Sequence, residues 1–188
     1  MPDPASPLPM PTEASLHEAA LRHLARYATT AAGLTRVLDR RVARWAHGAE
    51  ADADATRPLR AAVRAVVARL AAAGVVDDAG FAAARARSLS RAGRSRRGIE
   101  AHLAARGVTG EAARAVLPAD PDAEFAAAIA AARRRRIGPF RAEPADQEQH
   151  RRDLAILARA GFTQDVASRA LRTDAETAEA ILIRLRQA

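Results

Sequence analysis

From Leu16 onward, apolar residues recur every three or four positions, the period of an α-helix. Leu16, Ala20, Leu24 and Tyr27 mark one helix face. Leu34, Leu38, Val42 and Trp45 mark a second, entered at an N-cap offered by Thr29-Thr30. A third amphipathic helix carries Leu59, Val63, Val66, Val67 and Leu70, with Pro58 in its first turn and Gly74 at its close. Between the second and third, residues 46–56 hold Gly48, Glu50, Asp52 and Asp54 with little apolar beyond alanine, which reads as a flexible acidic loop.

The pattern continues in shorter pieces. Asp77-Asp78 offers an N-cap for a helix anchored by Phe81 that runs to about Arg91 and is broken at Gly93. Ile99 and Leu103 share a face of a short helix ended by Gly107; Thr109 caps another with Ala112, Val116 and Leu117, followed by Pro118. Phe125, Ile129 and Ala132 define a helix ending in Arg133-Arg134-Arg135-Arg136, with Gly138-Pro139 and Pro144 as breaks. Leu154 and Leu157 continue helically to Gly161, Thr163 caps a helix with Val166 and Leu171, and a last helix runs from about Asp174 through Ile181, Leu182 and Leu185.

An internal repeat organises these pieces. Leu103, Gly107, Val108, Thr109 and Leu117 recur as Leu157, Gly161, Phe162, Thr163 and Leu171, while Phe81-Ala-Ala-Ala matches Phe125-Ala-Ala-Ala. In each turn Gly supplies a left-handed residue, the next apolar side chain folds back on the finished helix, and Thr caps the next one. The segment from Leu16 to Leu70 is a looser copy. The expected architecture is all-α: tandem three-helix, helix-turn-helix-like repeats forming an elongated, curved array. Its parts are a proline-rich disordered tail (1–15), repeats at 16–72, 77–117 and 122–171, and an extra helix at 174–188.

Composition supports helices packed through small side chains, since alanine, leucine and arginine dominate and only six residues are aromatic. Every basic residue is arginine and the formal charge is +8, which favours an anionic partner such as nucleic acid or an acidic protein surface. A GC-rich genome is the bland explanation of the arginine bias, and both can be true. The chain has no cysteine, so disulfides and thiolate metal sites are excluded. No apolar run approaches the roughly 18 residues of a membrane span, and the proline-rich start is no secretory signal. A cytoplasmic protein is expected. His17, His23, His47, His102 and His150 show no zinc spacing, Asp77-Asp78 is explained as a cap, and no nucleophile triad or phosphate-loop motif occurs. The expectation is a protein that is no enzyme, with no cofactor and no metal.

The order of units resembles the RecX family of recombinase regulators. The resemblance is carried by Gly74-Val75-Val76-Asp77-Asp78-Ala79-Gly80-Phe81, then Arg85, Arg87 and Ser88, then Arg94-Ser95-Arg96-Arg97-Gly98-Ile99, continuing through Leu103 and Arg106-Gly107-Val108. A second stretch, Arg159-Ala160-Gly161-Phe162-Thr163 to Leu171, is similar to the family's C-terminal turn; Leu24-Ala25-Arg26-Tyr27 leading to Gly33-Leu34 is weaker. Three departures stand out. Thr30-Ala-Ala-Gly33-Leu34 lacks the glutamate of the family's capping box, residues 46–56 enlarge the first unit, and a helix follows Leu171.

The resemblance implies binding of a monomer to the RecA–DNA filament, within its helical groove, with suppression of ATP hydrolysis, strand exchange and co-protease activity. The charges are compatible. Between Arg85 and Arg106 stand seven arginines and one carboxylate, Glu100, and Arg133–Arg136 occupy the same place in the next unit, with Arg141 in the loop after it. The expected contacts to recombinase or to single- or double-stranded DNA are Arg85, Arg87, Arg91, Arg94, Arg96, Arg97, Arg106, Arg133, Arg134 and Arg136. The bland reading is a solvated face of an arginine-rich protein. Phe81, Phe125, Phe162, Trp45 and Tyr27 are read as core residues rather than stacking platforms. The rival function is a helix-turn-helix protein that binds DNA without RecA, although the helix after Gly107 offers only Glu111 and Arg114 to base edges. A helical scaffold for another acidic protein is a third reading.

Overall fold

A computed structural model describes residues 9–117, 120–143 and 145–187. Ten α-helices and one single-turn 3-10 helix make up the regular structure among them, with no strand. The chain divides into two compact units, one up to Phe81 and one from Ala82.

The first unit is a three-helix bundle of α1 (Glu13–Leu24), α2 (Ala31–Gly48) and α3 (Ala53–Ala72). Leu16 and Ala20 of α1, Leu34, Leu38 and Val42 of α2, and Leu59, Val63, Val66, Val67 and Leu70 of α3 close one core with Val76. Thr12 caps α1 through a reciprocal pair with Ser15, so residues 13–15 are the first helical turn rather than tail; residues 1–8 lie outside the described residues. Thr30 caps α2 by accepting from the Gly33 N–H at 3.0 Å. A carboxylate from farther along the chain serves the next amide: Asp78 Oδ1 accepts from the Ala31 N–H at 2.7 Å. Asp77, its neighbour, caps the following helix by accepting from Gly80 at 2.8 Å.

Two expectations fail in this unit. The acidic segment 46–56 is mostly helix, because α2 runs on to Gly48 and Asp52 caps α3 by accepting from the Ala55 N–H at 2.8 Å. Only residues 49–52 connect the two, with Glu50 left-handed at φ 48°, and Pro58 falls in the second turn of α3 rather than the first. The aspartates that suggested a loop favour a helix N-terminus, where they complement the helix dipole. Tyr27 is the second failure. α1 stops at Leu24, and the tyrosine beyond it is 60% exposed, beside the ring of His23.

The second unit holds most of α4 (Asp78–Arg91), then α5 (Arg96–Ala105), α6 (Gly110–Val116), α7 (Pro121–Arg135), a 3-10 turn at Gly138–Phe140, α8 (Gln147–Arg159), α9 (Gln164–Arg172) and α10 (Ala175–Gln187). The sequence repeat is a structural repeat. Leu103 and Leu157 are both wholly buried, Gly107 and Gly161 stand at φ 89° and 92°, and Val108 and Phe162 fold back into their cores. Thr163 caps α9 through the Val166 N–H, but Thr109, at the same position, makes no side-chain cap. One cluster joins Ala82, Ala86, Ile99, Leu103, Val108, Ala113 and Leu117; a larger one surrounds α7. Residues 127–132 of α7 are buried on every side, so this helix is a central post rather than the one-faced helix that Phe125, Ile129 and Ala132 suggest. Phe125 and Phe162 are core residues, whereas Trp45 and Phe81 are half-buried. Pro118 and Pro144 lie outside the described residues. No helix among the described residues is long and apolar enough to cross a membrane.

Candidate functional site

The candidate site is built on the turn between α4 and α5. α4 closes with two backbone bonds, Gly93 N–H to the Ser90 carbonyl at 2.8 Å and Arg94 N–H to the Leu89 carbonyl at 2.9 Å, the pattern of a Schellman cap. The same pair of bonds closes α5 at Gly107-Val108, α7 at Arg136-Ile137 and α8 at Gly161-Phe162. In those three turns the second residue is apolar and buried. Here that position is Arg94, and it is exposed. Gly93, at φ 70°, is pressed against α7: a Cβ on it would lie 2.7 Å from the Ala131 nitrogen and 2.9 Å from the Ala127 carbonyl oxygen. The alanines of α7 permit that approach.

Polar contacts fix the start of α5. Ser95 is wholly buried; its hydroxyl accepts from the Gly98 N–H at 3.0 Å and donates to the Ala160 carbonyl at 2.6 Å. Gly161 leaves room for that hydroxyl, since a Cβ there would lie 2.6 Å from the Ser95 oxygen. Glu124 of α7 accepts from the Arg96 N–H at 2.8 Å, so a distant carboxylate satisfies the first amide of α5. Burial raises the Glu124 carboxyl above its ordinary range, against the opposing pull of the Arg96 amide and charge. The turn is therefore held by α7 on one side and by the α8–α9 turn on another, while Arg94, Arg96 and Arg97 remain exposed upon it.

The two arginine groups meet here. Arg134 donates to the Gly93 carbonyl at 3.2 Å. Its guanidinium is held below the usual arginine value by burial first, then by the charges of Arg135 and Arg94. On the other side, Arg85 Nε donates to His102 Nε2 at 3.1 Å. Desolvation, followed by the charges of Arg85, Arg106 and Arg94, lowers the His102 pKa. The charge of Arg94 thus acts on both His102 and Arg134, and Arg85, Arg94, Arg106 and Arg134 share one electropositive neighbourhood. Arg87 and Arg91 are exposed on α4, with no contact that draws them to the turn. Arg133 is engaged with Glu179 of α10 at 3.1 Å, and Arg136 is the left-handed cap of α7 at φ 53°. Arg141 is withdrawn from any basic stripe, because its guanidinium holds both oxygens of the buried Asp153 at 2.8 Å.

Sequence reasoning missed Glu124, His102 and the burial of Ser95. The arginines surrounding His102 in the chain were the only available signal; the other two contacts bridge residues 28 and 65 positions apart. No cluster of three or more metal-ligating side chains occurs among the described residues. The arrangement presents exposed guanidinium groups from a fixed backbone, suited to phosphate or carboxylate by bidentate hydrogen bonding.

A family model for the second three-helix domain of RecX matches residues 77–117, the stretch formed by α4, α5 and α6. A Regulatory protein RecX from Myxococcus xanthus is 42% identical over 161 residues, 83% of each chain. The chain belongs to the RecX family. A second RecX, from Agrobacterium fabrum, is 34% identical over 107 residues, 57% of each chain. The arginine-bearing turn therefore lies inside the part of the chain that the RecX model covers, and α7 and the α8–α9 turn that brace it lie outside that match.

Proposed function

We propose that this RecX-family chain is a regulator that binds the RecA–DNA filament and lowers its ATPase, strand-exchange and co-protease activities, without catalysis of its own. The observation that carries the reading is the α4–α5 turn. Three exposed arginines, Arg94, Arg96 and Arg97, sit on a backbone locked by Gly93, Ser95 and Glu124, with Arg85, Arg106 and Arg134 beside them. A filament of recombinase on DNA is a repeating polyanion, and a fixed backbone confines the conformational freedom lost on meeting it to the arginine side chains. Arg87, Arg91, Arg133 and Arg136 extend the contact. The protein acts as a cytoplasmic monomer in this reading. The helix-turn-helix alternative draws less support, since α6 has seven residues and only Glu111 and Arg114 among its charged groups.

The test is the DNA-dependent ATPase of the cognate recombinase on single-stranded DNA, with this protein titrated in. Inhibition is expected, and it is expected to be lost when Arg94, Arg96 and Arg97 become alanine while circular dichroism shows the helices intact. No inhibition at any ratio of the two proteins would overturn the proposal.

A further inference from the structure

α2 carries a second set of guanidinium groups, in the other unit. With Leu34, Leu38 and Val42 turned to the core, Arg36, Arg40 and Arg44 fall on the opposite face at i, i+4 and i+8, all exposed, and His47 continues the row. Two adjoining shallow hollows run along this face and share Arg40. One is lined also by Arg44 and His47, the other by Arg36, Asp39 and, from α3, Arg60. Some exposed arginines elsewhere sit with carboxylates: Arg22 with Glu18, Arg57 with Asp54, Arg152 with Glu148. Among the described residues no ion pair engages Arg36, Arg40, Arg44 or Arg60, although Asp39 lines the same hollow. Like charges one turn apart on a helix destabilise it, so the row acts against folding unless a counter-charge arrives.

We infer that this row binds the phosphate backbone of nucleic acid, independently of the arginine cluster at the α4–α5 turn. Successive arginines are about 6 Å apart along the axis, so the row from Arg36 to Arg44 covers about 12 Å. A B-form strand carries one phosphate per about 3.4 Å of axis, which puts three to four phosphates along the row. Equal steps of one sign match a polymer of equal steps and opposite sign, whose phosphates meet the row in any register. Apart from His47 no ring lines either hollow, and no amide side chain does, so contacts from the arginines to phosphate dominate over stacking on bases. Binding is independent of sequence and strongly dependent on salt.

Fluorescence anisotropy with a labelled oligothymidine and with a duplex of equal length tests this, using the full chain and no recombinase, between about 50 and 200 mM salt. Changing Arg36→Gln, Arg40→Gln and Arg44→Gln together is expected to weaken binding by roughly tenfold or more and to lower the salt slope by about 2 to 3. The three lysine replacements keep most of the slope. Alanine at Arg94, Arg96 and Arg97 leaves the contribution of α2 in place. If the triple variant lacks native helicity, Arg40→Glu alone is the substitute, and a several-fold loss is expected of it. Unchanged affinity and slope in the glutamine variant, or no binding by the parent chain, overturns the inference. Unchanged nucleic-acid binding together with weakened binding to the recombinase alone would instead mark the row as an acidic-protein contact, which also overturns it. Because no recombinase is present in the anisotropy measurement, failure there leaves the proposed regulatory role standing.

Discussion

Replacing Gly93 by alanine tests whether the arginine-bearing turn is fixed. Two costs apply. Gly93 stands at φ 70°, where a residue with a Cβ is disfavoured by about 1–2 kcal/mol. The added carbon would also meet backbone atoms of α7, the Ala131 nitrogen at 2.7 Å, the Ala127 oxygen at 2.9 Å and the Ala130 carbonyl carbon at 3.0 Å. Backbone in the middle of a buried helix cannot step aside as a side-chain tip can, so overpacking of about 1–3 kcal/mol is added. Gly93→Ala should therefore destabilise by about 2–5 kcal/mol. Gly110 is the internal control: it stands at φ 62°, but a Cβ there meets nothing within 4 Å, so Gly110→Ala carries only the left-handed cost of about 1–2 kcal/mol. Urea unfolding followed by far-UV circular dichroism gives both values if m is unchanged. Inhibition of the recombinase ATPase, measured where both variants are folded, should fall for Gly93→Ala and hold for Gly110→Ala. Equal destabilisation of the two variants would mean that the turn does not dock on α7, and the case for a rigid arginine display would fail with it.

The same contacts set four further outcomes. Ser95→Ala removes the cap on Gly98 and the partner of the Ala160 carbonyl, and should cost about 1–3 kcal/mol by urea unfolding; combined with Gly161→Ala it should be non-additive, because the Gly161 Cβ would collide with the hydroxyl that Ser95→Ala removes. Arg141→Ala strands the buried Asp153 carboxylate and should cost about 3–5 kcal/mol, with recovery when Asp153→Asn is added. His102 accepts from Arg85 only when that nitrogen is unprotonated, and its pKa is lowered in the folded protein. The stability it contributes is present above about pH 6.5 and is lost as pH falls below that value through the lower folded pKa. An NMR titration of the imidazole should show the low value, and His102→Gln should flatten the acid side of the stability profile. Arg136→Gly should stabilise by about 1 kcal/mol in thermal unfolding, since Arg136 holds a left-handed conformation that glycine adopts at no steric cost, yet should weaken filament inhibition.

Legibility from sequence divides along a physical line. The cores of the first unit were readable because leucine and valine spacing on a helix is a local property; every residue from Leu34 to Leu70 assigned to the faces of α2 and α3 packs into that core, Trp45 at its margin. The Gly-apolar-Thr turns were readable for the same reason, and Leu103 and Leu157 show matching burial. Helix ends within alanine-rich stretches were not. Ala46 and Ala53 carry almost no signal of their own, and Asp52 and Asp54 serve a loop or a helix start equally well. The surroundings of α7 were hidden differently: its run of alanines fits any face, and only the elements packed on it decide which faces are covered. Caps supplied across the fold, Asp78 to Ala31 and Glu124 to Arg96, left no trace in the local pattern.

The alanine content of α7 also bears on how the arginine turn acts. Alanine offers little apolar area, so the packing of α7 against its neighbours is close but weakly directional. Orientation at the turn then depends on a few polar contacts: the Ser95 hydroxyl on Ala160, the Glu124 carboxylate on Arg96, the Arg134 guanidinium on Gly93. Deleting one of these removes a modest share of the unit's stability and a large share of the constraint on where Arg94, Arg96 and Arg97 stand. Arg136 offers the opposite balance, an arginine in a left-handed conformation where glycine would be more stable, at a position that the proposed function assigns to the filament contact. Stability and filament binding should therefore separate across these variants. Ser95→Ala loses both, Arg136→Gly gains one and loses the other, and a strict correlation between the two would mean that the arginines act only through the fold they belong to.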